Sequence, residues 1–246
     1  LITSFNRNKK IQCLCLNDER SAAYFALGIA QQTGLPAALI CTSGTAALNY
    51  APAVAEAYHQ HIPLLILTAD RPEEWIEQED GQSIRQQYLY ASYIKRSFHL
   101  RAYYTGGDTG WYRDRIINEA YNTCISGKKG PVHVNIALKE PLYSTDYQSR
   151  EPFKIIDAAS SQRQLSQKAV DELREKISRH AKIMVLTGVL HKSAYLNSLM
   201  EQFSTSAKAV VLTETTSNLH SQQFLPSVDR IVFSLQEHEE QAFAPD

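Results

Sequence analysis

Strand-sized apolar runs alternate with helical stretches along this chain, and that alternation limits the fold more than any other feature. Ile11–Leu16, Pro36–Cys41, Pro63–Thr68 and Pro131–Ala137 are apolar runs of strand length. Between them lie segments with helical periodicity. Ala22, Phe25, Ala26, Ile29 and Ala30 mark the first, Ala46–His59 reads as the second, and Tyr112–Ser126 as the last before residue 137. Strands joined through helices pair in parallel, because a parallel neighbour needs a long crossover and a helix supplies it. Fully apolar strands also imply a sheet covered on both faces. The expected class is therefore α/β, with a mainly parallel sheet.

Lys139–Leu165 interrupts the pattern with Pro141, Pro152 and several Ser and Asp residues. Beyond it the alternation restarts. Ser166–His180 reads as a helix, Lys182–Gly188 as a strand, Ser193–Phe203 as a helix, Lys208–Thr213 as a strand, and Gln236–Asp246 as helical. The expected organisation is a first α/β domain over 1–140, a linker over 141–165, and part of a second α/β domain over 166–246. Tyr88–Tyr104 is rich in aromatics and gives no clear period.

Charge and cysteine content exclude several classes. With 25 Lys+Arg against 26 Asp+Glu, the chain has no general attraction to nucleic acid or to anionic membranes. No apolar stretch approaches the roughly 20 residues of a membrane helix. Four cysteines without a C-x-x-C spacing suit a reduced, cytoplasmic protein. Ten glycines are few, and neither the dinucleotide nor the P-loop fingerprint occurs. Gly106-Gly107-x-x-Gly110 lacks a preceding strand and reads as a loop.

Ligands of open α/β sheets bind beyond the carboxyl ends of the strands, so the strand-to-helix turns hold the candidate residues. At Asn17-Asp18-Glu19-Arg20, Asp18 reads as a helix cap and Gly34 as the closing C-cap glycine. Glu19 either only favours the positive helix end or serves as a general acid/base. Cys41-Thr42-Ser43-Gly44-Thr45-Ala46 is either a capped turn or a cradle of N–H and hydroxyl groups. In Thr68-Ala69-Asp70-Arg71-Pro72, Arg71 either pairs with nearby carboxylates or forks to a ligand's carboxylate or phosphate. Gly81-Gln82-Ser83-Ile84-Arg85-Gln86 is a polar segment able to close over the same edge. His59-x-His61 reads as a helix end rather than a metal site.

These turns, in this order, resemble the pyrimidine-binding domain of thiamine-diphosphate enzymes. More narrowly, they resemble the menaquinone-pathway synthases that join 2-oxoglutarate to isochorismate. The segments that carry the likeness are Asp18–Ala23, Cys41–Ala47, Leu67–Glu73, Gly81–Gln86 and Thr213–Ser221. The resemblance implies that Glu19 hydrogen-bonds the cofactor's aminopyrimidine ring and assists proton removal from the thiazolium carbon. It implies that Thr42, Ser43, Gly44 and Thr45 lie beside that ring, and that Arg71 and Gln82 meet carboxylate-bearing substrates. The implied reaction is decarboxylation of 2-oxoglutarate followed by conjugate addition of the succinyl unit to isochorismate. A homodimer or homotetramer is implied as well. Gly81 stands where these synthases often carry asparagine. Their Pro-Gly-Ser-Arg segment and their Gly-Asp-Gly…Asn site for diphosphate and Mg2+ have no match, so the chain is expected to be a fragment, inactive alone. The alternatives are another thiamine-diphosphate decarboxylase, an acetohydroxyacid-type synthase, or a non-catalytic α/β binding module.

Overall fold

The computed structural model describes residues 1–104, 108–140, 142, 153–159 and 164–246. Gly106 and Gly107 lie outside the described residues, as does most of the stretch expected to be a linker. The chain divides into two compact units, Leu1–Ser161 and Gln162–Asp246.

The first unit opens with a short helix, α1 (Ile2–Arg7), followed by α2 (Glu19–Thr33). Asp18 caps α2 by accepting the Ser21 N–H at 2.7 Å, and Gly34 closes it at φ 68°. Next come β1 (Ala37–Cys41), α3 (Thr45–Leu48), α4 (Ala51–His59) and β2 (Leu64–Asp70). The unit continues with β3 (Arg96–Arg101), α5 (Thr109–Ile125) and β4 (Val132–Ala137). All pairings are parallel, in the order β1-β2-β4-β3.

Period-2 alternation on β2 and β4 divides the core in two. Leu64 and Ile66 join Leu39, Cys41 and the α2 and α4 side chains Ala23, Ala30, Ala53 and Val54. Leu67, Val132, Val134 and Ile136 face the other way, onto Ile116, Ala120 and Cys124 of α5. Every residue of β4 is buried, as expected for a strand covered on both sides.

Three expectations need correction. Ile11–Leu16 is not a strand. A strand is held by a hydrogen-bonded neighbour, and this run pairs with none of the described strands, leaving Ile11, Leu14 and Leu16 exposed. The helix expected over Ala46–His59 is two helices, α3 and α4. Pro52, in the first turn of α4, has no N–H to continue the Leu48 ladder. On α2 the buried face is Ala23, Ala26, Leu27 and Ala30, whereas Phe25 and Ile29 are exposed. Small side chains let this helix lie close on the sheet.

β3 sits within the aromatic segment that gave no clear period. Its Phe98 and Leu100 enter the α5 core, while Arg96 and Arg101 are exposed.

The second unit contains α6 (Gln167–Arg179), β5 (Met184–Leu186), α7 (Ala194–Ala207), β6 (Val210–Thr213) and β7 (Phe224–Pro226). After β7 come α8 (Val228–Val232) and α9 (Glu237–Phe243). Its parallel sheet, β5-β6-β7, has a small core of Val211, Leu219 and Phe224.

Candidate active site

The carboxyl ends of β1 and β2 carry two of the three turns singled out in the sequence. The third, Asn17–Arg20, leads into α2 with no strand before it among the described residues. Directly after β1, Thr42, Ser43 and Gly44 run into α3, which begins at Thr45. Glu19, at the start of α2, faces them across a cavity of about 470 Å³. Gln82, Ser83 and Ile84 complete its lining with Ala46 and Asn49. The structure therefore brings together Glu19, Thr42, Ser43, Gly44, Thr45 and Gln82, which come from three separate parts of the sequence.

Gly44 is required by two independent geometries. Its backbone lies at φ 88°, ψ −150°, a region only glycine enters without strain. A Cβ there would also stand 3.0 Å from the Gln82 carbonyl oxygen. Gln82 itself adopts φ 57°, so the main chain of residue 82 is bent tightly over the glycine.

Beneath this turn lies a polar network that sequence reasoning missed. Gln86 is 1% exposed and uses its whole carboxamide. Its Oε1 accepts the Gly44 N–H at 2.7 Å. Its Nε2 donates to the Ala69 carbonyl at 2.9 Å and to Asn135 Oδ1 at 3.0 Å. Asn135 Oδ1 also accepts the Thr68 hydroxyl at 2.8 Å, and Asn135 Nδ2 donates to Asp70 Oδ2 at 2.6 Å. Asp70 Oδ1 in turn accepts the Arg71 N–H at 2.8 Å. The register that pairs Thr68 with Asn135 places these groups on one face. That face is apolar further back along β2, at Leu64 and Ile66.

Protonation in this network follows from burial. The Thr68 hydroxyl proton goes to Asn135, so the 2.8 Å contact between Thr68 Oγ1 and His133 Nε2 requires the imidazole to donate. His133 is then neutral with Nδ1 bare, and that atom has no partner. Desolvation, helped by the charge of His99, lowers its pKa to about 3. Burial raises the Asp70 carboxyl above the usual carboxylate range, against the opposing hydrogen bonds from Asn135 and the Arg71 amide. Cys41, behind the cavity, is pushed up to about 12 by burial and is no nucleophile at neutral pH.

Arg71 is not in the Glu19 cavity. It lines a neighbouring cavity of about 270 Å³ with Pro72, Trp75, Asp80, Leu138, Lys139 and Glu140. Its guanidinium pairs with Asp80 at 3.0 Å and Glu140 at 3.8 Å, and donates to the Gly81 carbonyl at 3.3 Å. The two cavities share one segment of chain: Asp80 and Gly81 hold Arg71, and Gln82 looks into the other cavity. Among the described residues, no group of three or more His, Cys, Asp or Glu is arranged to hold a metal ion.

Comparison with known proteins follows the same residues. Residues 1–89 match the family model described as the thiamine pyrophosphate enzyme, N-terminal TPP binding domain. A 2-succinyl-5-enolpyruvyl-6-hydroxy-3-cyclohexene-1-carboxylate synthase of Porphyromonas gingivalis is 36% identical over 97% of this chain and 41% of its own length. The synthase of the same name from Cytophaga hutchinsonii is 42% identical over 89% of the chain and 39% of its own. That of Flavobacterium johnsoniae is 39% identical over 94% and 41%. The chain belongs to this synthase family of thiamine pyrophosphate enzymes. It spans about two fifths of the length of these curated relatives. Within the family match, residues 1–89 include Glu19, the Gly44 turn, Arg71, Gln82 and Gln86, but not Asn135 or His133.

Proposed function

We propose that the first unit is the pyrimidine-binding domain of a synthase that decarboxylates 2-oxoglutarate and adds the succinyl unit to isochorismate, in menaquinone biosynthesis. The second unit is then part of the central domain. The observation that carries this reading is the cavity in which Glu19 faces the Gly44 turn. Its donor set suits an aminopyrimidine ring. It offers one carboxylate, the hydroxyls of Thr42, Ser43 and Thr45, and the side-chain-free backbone of Gly44. When bound, thiamine diphosphate supplies an acidic thiazolium carbon that attacks and cleaves 2-oxo acids.

Glu19 holds or gives up a proton at a ring nitrogen, from a helix start that fixes its distance. The Gly44 turn keeps the opposite wall flat. Gln82 reaches the substrate from the segment it shares with the Arg71 cavity. Arg71 exchanges Asp80 for a substrate carboxylate, which its fork geometry suits. In this reading magnesium accompanies the cofactor's diphosphate and is bound outside this chain. The enzyme is a cytoplasmic homodimer or homotetramer, and this piece alone does not turn over. No helix among the described residues is long and apolar enough to cross a membrane.

The test is turnover of isochorismate and 2-oxoglutarate by the full-length protein with thiamine diphosphate and magnesium. Product should form, and the Glu19→Gln variant should lose nearly all of it. Full activity in that variant overturns the role of Glu19.

A further inference from the structure

We propose that Gln86 is a positioning residue: its carboxamide sets the place of the Gly44 backbone in the Glu19 cavity. The proposal rests on the reading above only where it concerns the cofactor. Gly44 N–H belongs to no helix or strand ladder, and its one partner among the described residues is Gln86 Oε1, 42 residues away in sequence. The glycine is thus gripped from two directions. The Gln82 main chain presses on its open side, where a Cβ would meet backbone at 3.0 Å. The Gln86 carboxamide holds its amide from inside the protein.

Only an amide fits at position 86. One end must accept the Gly44 N–H, and the other must donate twice, to Ala69 O and Asn135 Oδ1. Asn135 Oδ1 already accepts from Thr68, and its Nδ2 is committed to Asp70. The neighbours therefore fix which way round Gln86 sits. A glutamate keeps the acceptor for Gly44 but sets oxygen against the Ala69 and Asn135 oxygens. A leucine keeps the bulk and leaves the Gly44 N–H and the Ala69 carbonyl unpaired. Through this residue the turn after β1 is tied to Ala69 near the end of β2, which leads into Asp70 and Arg71, and to Asn135 of β4.

The experiment uses the full-length protein, with Gln86→Leu, Gln86→Glu and, as a control, Asn118→Ala. Asn118 is a buried α5 residue that ties Lys154 and Ile156 to the helix and lines no part of the cavity. Amide hydrogen exchange is followed without cofactor. Gly44 and its neighbours in 42–46 should exchange at least tenfold faster in Gln86→Leu, and faster than wild type in Gln86→Glu. Exchange in α5 should be unchanged in both. Asn118→Ala should show the reverse. Unchanged exchange at 42–46, or an equal acceleration throughout the protein, overturns the proposal whatever the ligand is. Titration calorimetry with thiamine diphosphate is the second readout. Both Gln86 variants should bind at least tenfold more weakly than wild type, and Asn118→Ala should bind equally well. Wild-type affinity in both Gln86 variants also overturns the positioning role. A wild-type protein that binds no thiamine diphosphate overturns the proposed function instead, while the exchange result still decides about Gln86.

Discussion

The Glu19 cavity and the Arg71 cavity share the segment from Asp80 to Gln82, yet they are built on opposite principles. The wall facing Glu19 is backbone. Gly44 is held by a buried carboxamide on one side and by main chain on the other, with each polar contact inside the protein. Arg71 is held by carboxylates with exposed side chains, Asp80 and Glu140, and by one carbonyl. Buried hydrogen bonds such as those of Gln86 are stiff because breaking one leaves an unpaired polar group. Exposed ion pairs are worth little, typically 0–1 kcal/mol, because water competes for both partners. The first cavity is therefore shaped before any ligand arrives, whereas the second can trade partners at small cost.

The comparison can be broken at its strongest point first. Glu19→Gln should lower kcat by a factor of about 10²–10⁴, the usual range for a lost general acid/base. The unfolding midpoint should hardly move, since the amide keeps the shape. A comparable fall in stability would show that Glu19 is part of the frame.

His133 tests whether the network really is dry. A histidine held neutral at a pKa lowered to about 3 binds no proton in the folded state where the unfolded chain, near 6.5, does. Its contribution to stability is complete above about pH 6.5. Below that it falls by about 1.4 kcal/mol per pH unit toward pH 3, on the order of 5 kcal/mol at the limit. Asp70 opposes this. Its raised pKa means that the folded state binds the extra proton, so its share of stability declines as pH rises from about 3.8. His133→Gln, which keeps a donor toward Thr68, should remove the acid-side slope. Urea unfolding of the full-length protein between pH 4 and 7 measures it.

Gly44→Ala should cost about 1–3 kcal/mol from its backbone conformation alone, before the contact with Gln82 is counted. Thiamine diphosphate binding should weaken with it. A stable variant with unaltered binding would mean that the turn is softer than the cavity suggests.

The smallest effect is expected at the other cavity. Asp80→Asn frees Arg71 from its shortest ion pair and should lower the Michaelis constant for isochorismate about two- to fivefold, within the range of an exposed pair. Stability should change by less than about 0.5 kcal/mol. A large loss of stability would place Arg71 among the rigid parts of the molecule.

Sequence alone located what is written locally. The cap at Asp18, the glycine at Gly34 and the small-residue turn after β1 are short-range patterns, and the structure contains all three. The alternation of apolar strands and helices was enough for a parallel sheet covered on both faces. What misled was equally local. Ile11–Leu16 has a strand's composition but no paired neighbour among the described strands. β3 has a neighbour but hides its two buried residues among arginine, serine and histidine.

The long-range polar contacts had no local signature. Gln86, Thr68 and the β4 pair His133 and Asn135 lie on three separate segments, and although Gln86 and Thr68 stand in segments singled out in the sequence, nothing local says that they meet. The pairing of Thr68 with Asn135 between β2 and β4 and the return of the chain at Gln86 bring them together. Residue types and their short-range order thus determined the class of sheet and the turns able to hold a ligand. Tertiary structure decided which of those turns is rigid, because stiffness comes from buried groups satisfying one another across the fold.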